Sequence, residues 1–219
     1  MSSIQQDYWQ AISGLVAELK RCDQCGITTA SIAMAYICID ALANLARPIE
    51  KDKVTRSDFK EWIENYLIAD PSQPYQYRGK DVYAARCAFL HTYGAKAELH
   101  DEDTDTIKFT YHDGGMHLYS DKIEPHLVLI STKSFVNDVV IAASKFVQAC
   151  QSDRPLKERV ESRLPEVLQV VPLHSLPSSR NLGIFKGKLN VPEDFDAALP
   201  GDVALQFQNE SIEPSSGNR

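Results

Sequence analysis

The feature that most restricts the fold of this 219-residue chain is the apolar stretch TTASIAMAYICIDALANLARP at residues 28–48. Its large apolar residues return at helical spacing, which predicts one helix with Thr28 or Thr29 as the N-cap and Pro48 as the stop. The apolar side consists of Ile32, Tyr36, Ile39, Leu42 and Ala46. Because the other sides carry few polar groups, we expect this helix to lie in the middle of a helical bundle.

Helical spacing also appears in five other parts of the chain. These are residues 7–20, 55–67, 80–93, 134–150 and 154–170. Ser57 is the predicted cap of the third helix, and Gly94 is expected at the C′ position after the fourth. Pro165 interrupts the last helix. The sequence therefore predicts a mainly α protein built as an antiparallel helical bundle.

The spacing changes to strict alternation within residues 97–131. The alternating apolar residues are Ile107, Phe109 and Tyr111. The Asp-Gly-Gly turn at 113–115 predicts a hairpin, and PHLVLIS at 125–131 predicts a third short strand. We therefore expect a small antiparallel hairpin or meander inserted after the fourth helix, with His112 and His117 as exposed hairpin residues.

No periodic pattern continues after residue 171. We therefore predict a helical domain over residues 1–171, with its β insertion at about 97–131, and a linker and extended tail over residues 172–219. The last nine residues, SIEPSSGNR, are expected to be disordered because they are mostly polar, with Ile212 as their single large apolar side chain.

Composition excludes several classes of protein. The apolar content of 43% is sufficient for one full core, and the net charge of −7 argues against broad electrostatic capture of nucleic acid, although a local pocket can still bind one phosphate or a short strand. The N-terminal residues MSSIQQDYWQ lack the features of a secretion signal, and no apolar run reaches the ~20 residues of a membrane span. Five cysteines without regular spacing suit a reducing compartment. We therefore expect a soluble cytoplasmic protein without a membrane partner.

No sequence motif for a metal or another cofactor emerges. Cys22 and Cys25 have the spacing of half a zinc site, but no second Cys/His pair follows at a suitable distance. The phosphate-binding glycine motifs of nucleotide enzymes are also missing from the sequence. We therefore predict no metal ion and no cofactor.

Arg86 and His91 are the strongest candidates for chemistry, because both lie near the end of the helix at 80–93. Helical geometry separates them by about 140° around the axis and ~7.5 Å along it, so they are expected to flank a groove without touching. One interpretation is structural: Arg86 pairs with a carboxylate at the core edge, and His91 interacts with the helix C-terminus. The other is catalytic, because a guanidinium that holds a phosphate oxygen and an imidazole that transfers a proton suffice for metal-independent RNA cleavage.

The segment Arg86-Cys-Ala-Phe-Leu-His91 resembles the Arg-x4–6-His motif of the HEPN family (higher eukaryotes and prokaryotes nucleotide-binding). The resemblance extends over residues ~5–165, and it includes the apolar second helix and the hairpin before the closing helix. It implies a homodimeric, HEPN-like helical bundle whose two motifs form a composite cleft. It also implies an endoribonuclease of toxin–antitoxin or antiphage systems, in which Arg86 holds phosphate and His91 is the general acid and base.

Three further residues are predicted to support this site. Asp40 and Asn44 lie one turn apart on the second helix, and Asp40 either pairs with Arg86 or orients His91, with a purely structural ion pair as the alternative. Cys87 stands where active family members often carry Asn, Asp or His, which leaves open a degenerate member kept for its shape.

The tail contains a second distinctive pattern, RNLGIFKGKLNVPEDFDAALPGDVALQF at residues 180–207. It resembles the C-terminal toxin-binding peptide of Phd/VapB-type antitoxins, with Ala198 in place of that pattern's first proline. The matching residues are Arg180, Gly183, Lys186, Gly187, Asp194, Phe195, Asp196, Leu199 and Pro200. The resemblance implies that the tail binds a PIN-domain ribonuclease, with Arg180 entering its acidic metal site.

The sequence therefore supports two hypotheses about function. The first is the HEPN-like, metal-independent endoribonuclease. The second is a catalytically inactive HEPN-like binding protein whose tail neutralises a PIN-domain toxin, which makes it an antitoxin. A tail that packs on its own domain, or that covers the cleft of Arg86 and His91, is a further alternative.

Overall fold

The structure is a computed structural model that describes residues 3–69, 76–119 and 124–167. Within these ranges the chain is mainly helical, with seven α-helices and a small three-stranded sheet. The elements are α1 (Ser3–Gln24), α2 (Thr28–Ala46), α3 (Arg56–Trp62), a π-helical turn (Ile63–Leu67), α4 (Gly79–Thr92), α5 (Leu99–Glu102), β1 (Lys108–His112), β2 (Leu118–Tyr119), β3 (Leu127–Ser131), α6 (Thr132–Ser152), α7 (Arg154–Arg163) and a 3₁₀ turn (Leu164–Glu166). The chain divides into two units, 1–171 and 172–219, and the second lies outside the described residues.

Helix α2 is the element around which the others pack, as its apolar composition predicts. It contacts α1, α3, α4, α6 and α7. Tyr36, Ile39 and Leu42 are fully buried. Among the described helices, α2 alone has the length and composition of a membrane span, with a mean hydropathy of 1.5, and half of that window is buried within the protein. This is consistent with the core helix of a soluble protein.

The end of α2 is closed by two arginines that bind backbone carbonyls. The buried Arg163 of α7 donates from its guanidinium to the carbonyl oxygens of Arg47, at 2.6 Å, and Pro48, at 2.8 Å. Arg47 donates to the carbonyl oxygens of Lys51 and Asp52. These bonds hold the loop that follows α2 and join α7 to it. Arg47 and Arg163 also donate to the carbonyl oxygens of Asn44 and Leu45, which lie in the last turn of α2 and lack helical partners.

The starts of α2 and α3 differ from the prediction. The N-cap of α2 is Ile27, whose side chain makes no capping hydrogen bond. Gly26, with φ +69°, forms the turn before it, and both threonines lie inside the helix. The N-cap of α3 is Thr55, and Ser57 lies within the helix. Asp58 decides this start, because its carboxylate accepts from the Thr55 N–H at 2.8 Å while the Thr55 hydroxyl accepts from the Asp58 N–H.

Helix α4 ends with Tyr93 as its C-cap, so Gly94 is at the predicted C′ position, but the backbone conformation at this end was not expected. The residue in the left-handed conformation is Tyr93, with φ 52° and ψ 33°, and not Gly94. The Tyr93 hydroxyl is hydrogen-bonded to the Thr29 hydroxyl of α2 at 3.0 Å. The left-handed conformation thus occurs at a residue that does not adopt it by preference but that is bonded to another helix.

The sheet is mixed, and the predicted antiparallel hairpin is wrong. The strand order is β1-β3-β2: β1 pairs with β3 in parallel, and β2 pairs with β3 in antiparallel orientation. The physical reason is burial, because β3 (LVLIS) is the most apolar strand, and Val128 and Ile130 are buried at the centre. The chain after the Asp-Gly-Gly turn therefore crosses to the far side of β3.

The two histidines of this turn are bonded to the protein, so the prediction that they are exposed is also wrong. His117 Nδ1 accepts from the Ser131 N–H at 3.0 Å, and His117 Nε2 lies 3.3 Å from Asp138 Oδ2. His112 Nδ1 accepts from the Gly114 N–H at 3.0 Å. The histidines thus hold the turn against β3 and α6.

Candidate functional site

The helix that carries Arg86 and His91 is fixed at its start to two other elements. The Gly79 N–H donates to Glu64 Oε1 in the π-helical turn at 2.7 Å. The buried Asp81 accepts from the Arg78 N–H at 2.7 Å and from the Ile107 N–H at 2.8 Å, which joins α4 to the residue before β1. The position of α4 is therefore set by hydrogen bonds from backbone N–H groups to carboxylate side chains, as well as by packing.

Arg86 connects α2 and α4 at the protein surface. Its Nε and Nη2 lie 2.9 Å and 2.8 Å from Asp40 Oδ2, and its Nη1 lies 3.1 Å from His91 Nε2. The Arg86 and Asp40 side chains are 22% and 32% exposed, and His91 is exposed. We call these three residues the Asp–Arg–His cluster.

The direct contact between Arg86 and His91 corrects the prediction that they flank a groove without touching. The helical offset places their Cα atoms on different sides of the axis, as expected. The long arginine side chain spans that offset, so the guanidinium reaches the imidazole. Asp40 orients the guanidinium, because its carboxylate accepts hydrogen bonds from Nε and Nη2 and leaves Nη1 directed at His91.

The electrostatics of the cluster keep the guanidinium charged. Burial lowers the pKa of Arg86, but its hydrogen bonds and ion pair with Asp40 outweigh burial, so the pKa lies above its usual value. Burial raises the pKa of Asp40 above its ordinary value, although Arg86 counteracts this shift. Because the guanidinium donates to Nε2 of His91, the neutral imidazole carries its proton on Nδ1.

The other predicted supporting residues have different surroundings. Asn44 is not part of the cluster, because its Oδ1 accepts from Arg47 Nη1 at 2.6 Å and its side chain belongs to the end of α2. Cys87 is half-buried next to Tyr83 and Arg86 and interacts with both side chains. The predicted partner-binding residues lie outside the described residues: Arg180, Lys186, Asp194, Phe195, Asp196 and Leu199.

Two residues next to the cluster were missed by sequence reasoning. Tyr93 follows His91 by two positions and is 71% exposed. Ile37 precedes Asp40 by one turn of α2 and is 42% exposed. A large apolar residue that neighbours a candidate polar residue at helical spacing is a signal that the sequence contains, but its exposure depends on which side of each helix faces the core.

The structure also has two surface cavities that the cluster does not line. Two adjoining surface cavities of about 400 and 300 Å³ lie along α1 and α6. Their shared lining residues are Ile12, Ser13 and Val147. Within residues 3–69, 76–119 and 124–167, no group of three or more His, Cys, Asp or Glu side chains is arranged to hold a metal ion.

Comparison of the chain with protein-family models, with curated proteins and with solved structures gives no match. The fold and the site together define a mainly helical protein with a small mixed sheet and an Asp–Arg–His cluster on its surface. The function is therefore inferred from the chemistry of these residues.

Proposed function

We propose that this protein is a HEPN-like, metal-independent endoribonuclease of a toxin–antitoxin or antiphage system, acting in the cytoplasm as a homodimer. The observation that carries the proposal is the contact between Arg86 Nη1 and His91 Nε2, because it places a phosphate-binding group beside a proton-transfer group at the surface. The Arg-x4–6-His spacing and its position late in α4 support the assignment to the family.

The chemistry needs only these groups and the RNA. The 2′-hydroxyl attacks the adjacent phosphorus and loses its proton to one imidazole, while the bond from phosphorus to the 5′-oxygen breaks and that oxygen takes a proton from an imidazolium. The products are a 2′,3′-cyclic phosphate and a free 5′-hydroxyl. The Arg86 guanidinium binds a non-bridging oxygen and stabilises the charge that develops on it.

A homodimer supplies the second imidazole of this reaction. Helix α2 is apolar on nearly all sides, yet only half of its most apolar window is buried. On its outer side Ile37 is exposed one turn before Asp40, between the half-buried Ala33 and Ala41. A second copy that covers this side brings two Asp–Arg–His clusters together, whereas the charge of Asp40 disfavours contact with lipid.

The proposal is tested by RNA cleavage in the presence of EDTA. We expect the wild-type chain to cleave single-stranded RNA, and His91→Asn to lower the rate by about 100-fold or more, as for the loss of a general acid or base. His126→Asn is the matched control, because His126 is exposed and its positive φ of 59° is tolerated by asparagine. Equal cleavage by the wild type and His91→Asn contradicts the proposal.

A second candidate is favoured by the ion pair of Arg86 with Asp40. A guanidinium that already has a counterion is less available to phosphate, which fits a catalytically silent HEPN-like domain. In that case the antitoxin-like pattern of residues 180–207 carries the function, by binding a PIN-domain toxin. No cleavage by either the wild type or His91→Asn, together with inhibition of a PIN-domain ribonuclease by the full chain, identifies this candidate.

A further inference from the structure

Tyr93 combines an exposed ring with a constrained position at the end of α4. Its φ of 52° lies in the left-handed region, which costs energy for a residue with a side chain. Its hydroxyl is bonded to the Thr29 hydroxyl at 3.0 Å, and its ring centroid lies 5.5 Å from that of Phe89. The residue is nevertheless 71% exposed. A strained residue that is held in place and still faces solvent is typical of a binding site.

We propose that Tyr93 is the stacking platform for a base of single-stranded RNA. This inference rests on the proposed ribonuclease function and names the substrate class of the same site. Aromatic rings bind unpaired bases through their faces, and a base within a duplex is not accessible to such a ring. Seven residues separate Arg86 from Tyr93, or roughly 10 Å along the helix axis, so the stacked base belongs to a nucleotide near the phosphate that Arg86 holds.

The charge of the protein explains why a stacking contact is needed. With a net charge of −7, the chain offers little electrostatic attraction to the rest of an RNA strand. The nearest lysine after the motif, Lys96, is paired with Asp101 at 2.6 Å. Stacking on Tyr93 supplies affinity that does not depend on further cations, and it tolerates any base.

The test measures binding of a short 2′-O-methyl oligoadenylate to the full chain, because methylation removes the attacking hydroxyl and prevents cleavage. Tyr93→Asn removes the ring and tolerates the positive φ, and Tyr93→Phe keeps the ring but loses the bond to Thr29. We expect Tyr93→Asn to weaken binding roughly 5- to 150-fold, as for one stacked base, and Tyr93→Phe to bind within about threefold of the wild type. The same ribose-phosphate chain without bases should bind the wild type as weakly as oligoadenylate binds Tyr93→Asn.

Two outcomes overturn the inference: unchanged oligoadenylate affinity in Tyr93→Asn, or wild-type binding that does not depend on the bases. The melting temperature of each variant checks the fold, which should persist because the ring is mostly exposed. Cleavage in EDTA reports separately on the ribonuclease. Cleavage that depends on His91 but binding that ignores Tyr93 rejects the stacking alone, whereas base-dependent binding without cleavage rejects the ribonuclease alone.

Discussion

Asp40 and Asp58 are both bonded to cations, but their pKa values shift in opposite directions. Burial raises the pKa of Asp40, and its single cationic partner does not fully reverse that shift. Burial also acts to raise the pKa of Asp58, but hydrogen bonds from Lys51 and Thr55 outweigh it, so the pKa falls below its usual value. The balance between burial and the hydrogen bonds that each carboxylate accepts therefore sets the direction of its pKa shift.

The two shifts have opposite consequences for stability. The raised pKa of Asp40 means that the folded state holds its proton more tightly, so the stability from this group decreases as pH rises through its folded pKa. The lowered pKa of Asp58 means that its stabilisation is complete above the unfolded-state pKa of about 3.9 and is lost as pH falls through the folded pKa. Burial thus disfavours the charged form of Asp40 in the folded protein, which is consistent with a role in orienting Arg86 and not in stabilising the fold.

Asp58→Asn tests this account of the α3 cap. We expect the substitution to lower the free energy of unfolding by about 1–2 kcal/mol at pH 7, because the capping box and the bond to Lys51 are weakened. The difference from the wild type should shrink as pH falls below about 4, because Asp58 then takes up a proton in the unfolded state, and it should be lost as pH falls through the lower folded-state pKa. Urea unfolding at several pH values measures both quantities.

The control for this series is Asp101→Asn. Asp101 is also paired with a lysine, but its side chain is 65% exposed, so its loss should change stability little at any of these pH values. An Asp58→Asn difference that stays constant or increases on acidification contradicts the assignment.

At the level of elements, the approach of α4 to α3 depends on a missing side chain. A Cβ atom added to Gly79 would lie 2.8 Å from the backbone oxygen of Lys60 and 3.1 Å from Glu64 Oε1. Because the first of these contacts is with backbone, the neighbouring helix has to shift to relieve it. The first residue of α4 thereby controls how closely the motif helix packs.

Gly79→Ala should therefore destabilise the protein by about 1–3 kcal/mol, the usual cost of forcing atoms into a packed site. Gly14→Ala is the matched control, because Gly14 lies inside α1 and its added Cβ would meet nothing within 4 Å. That control should stabilise the protein by about 0.5–1 kcal/mol through helix propensity. Thermal or urea unfolding measures both variants, and equal effects of the two substitutions would contradict the packing argument.

At the level of the whole molecule, the proposed homodimer depends on the outer side of α2. Ile37 on α2 and Ile141 on α6 are almost equally exposed, at 42% and 44%. Only Ile37 lies beside the Asp–Arg–His cluster, one turn from Asp40 on the same helix. Substitutions of Ile37 and Ile141 can therefore distinguish a specific interface at the cluster from a general effect of exposed apolar side chains.

Ile37→Lys should convert the proposed homodimer to a monomer, because a charge at the interface cannot be buried without a partner. Ile141→Lys should leave the dimer intact. Sedimentation at several concentrations measures the change, and RNA cleavage should decrease together with dimerisation in Ile37→Lys alone. A wild-type protein that is monomeric at all concentrations contradicts the composite site.

The sequence predicted the helices well, because helical spacing is a local property. The central position of α2, the helices on either side of it and the interruption at Pro165 follow from apolar periodicity and proline chemistry alone. Pairing with Arg86 was one of the two roles predicted for Asp40, and that pairing is present in the structure. The helix positions and the interruption depend on residue types or on neighbours a few positions apart, whereas the pairing joins two helices.

Most of the predictions that were wrong depend on contacts between distant parts of the chain, and the exceptions are the starts of α2 and α3, which depend on nearby residues. The strand order β1-β3-β2 follows from which strand is most buried, not from the nearby glycine turn. The left-handed residue at the end of α4 is Tyr93 and not Gly94, and its hydroxyl is bonded to Thr29 on another helix. The guanidinium of Arg86 reaches His91 because Asp40 holds its other side.

The amino-acid sequence alone thus determined the helical class, the core helix and the two residues with the right chemistry for phosphate and proton transfer, since these follow from residue type and local spacing. Only the tertiary structure decided the strand pairing, the left-handed residue at the end of α4 and the contact between the guanidinium and the imidazole. The physical reason is that residues with similar preferences for secondary structure adopt different positions according to how deeply they are buried and which hydrogen-bond partners they meet. Those partners often lie far away in the chain.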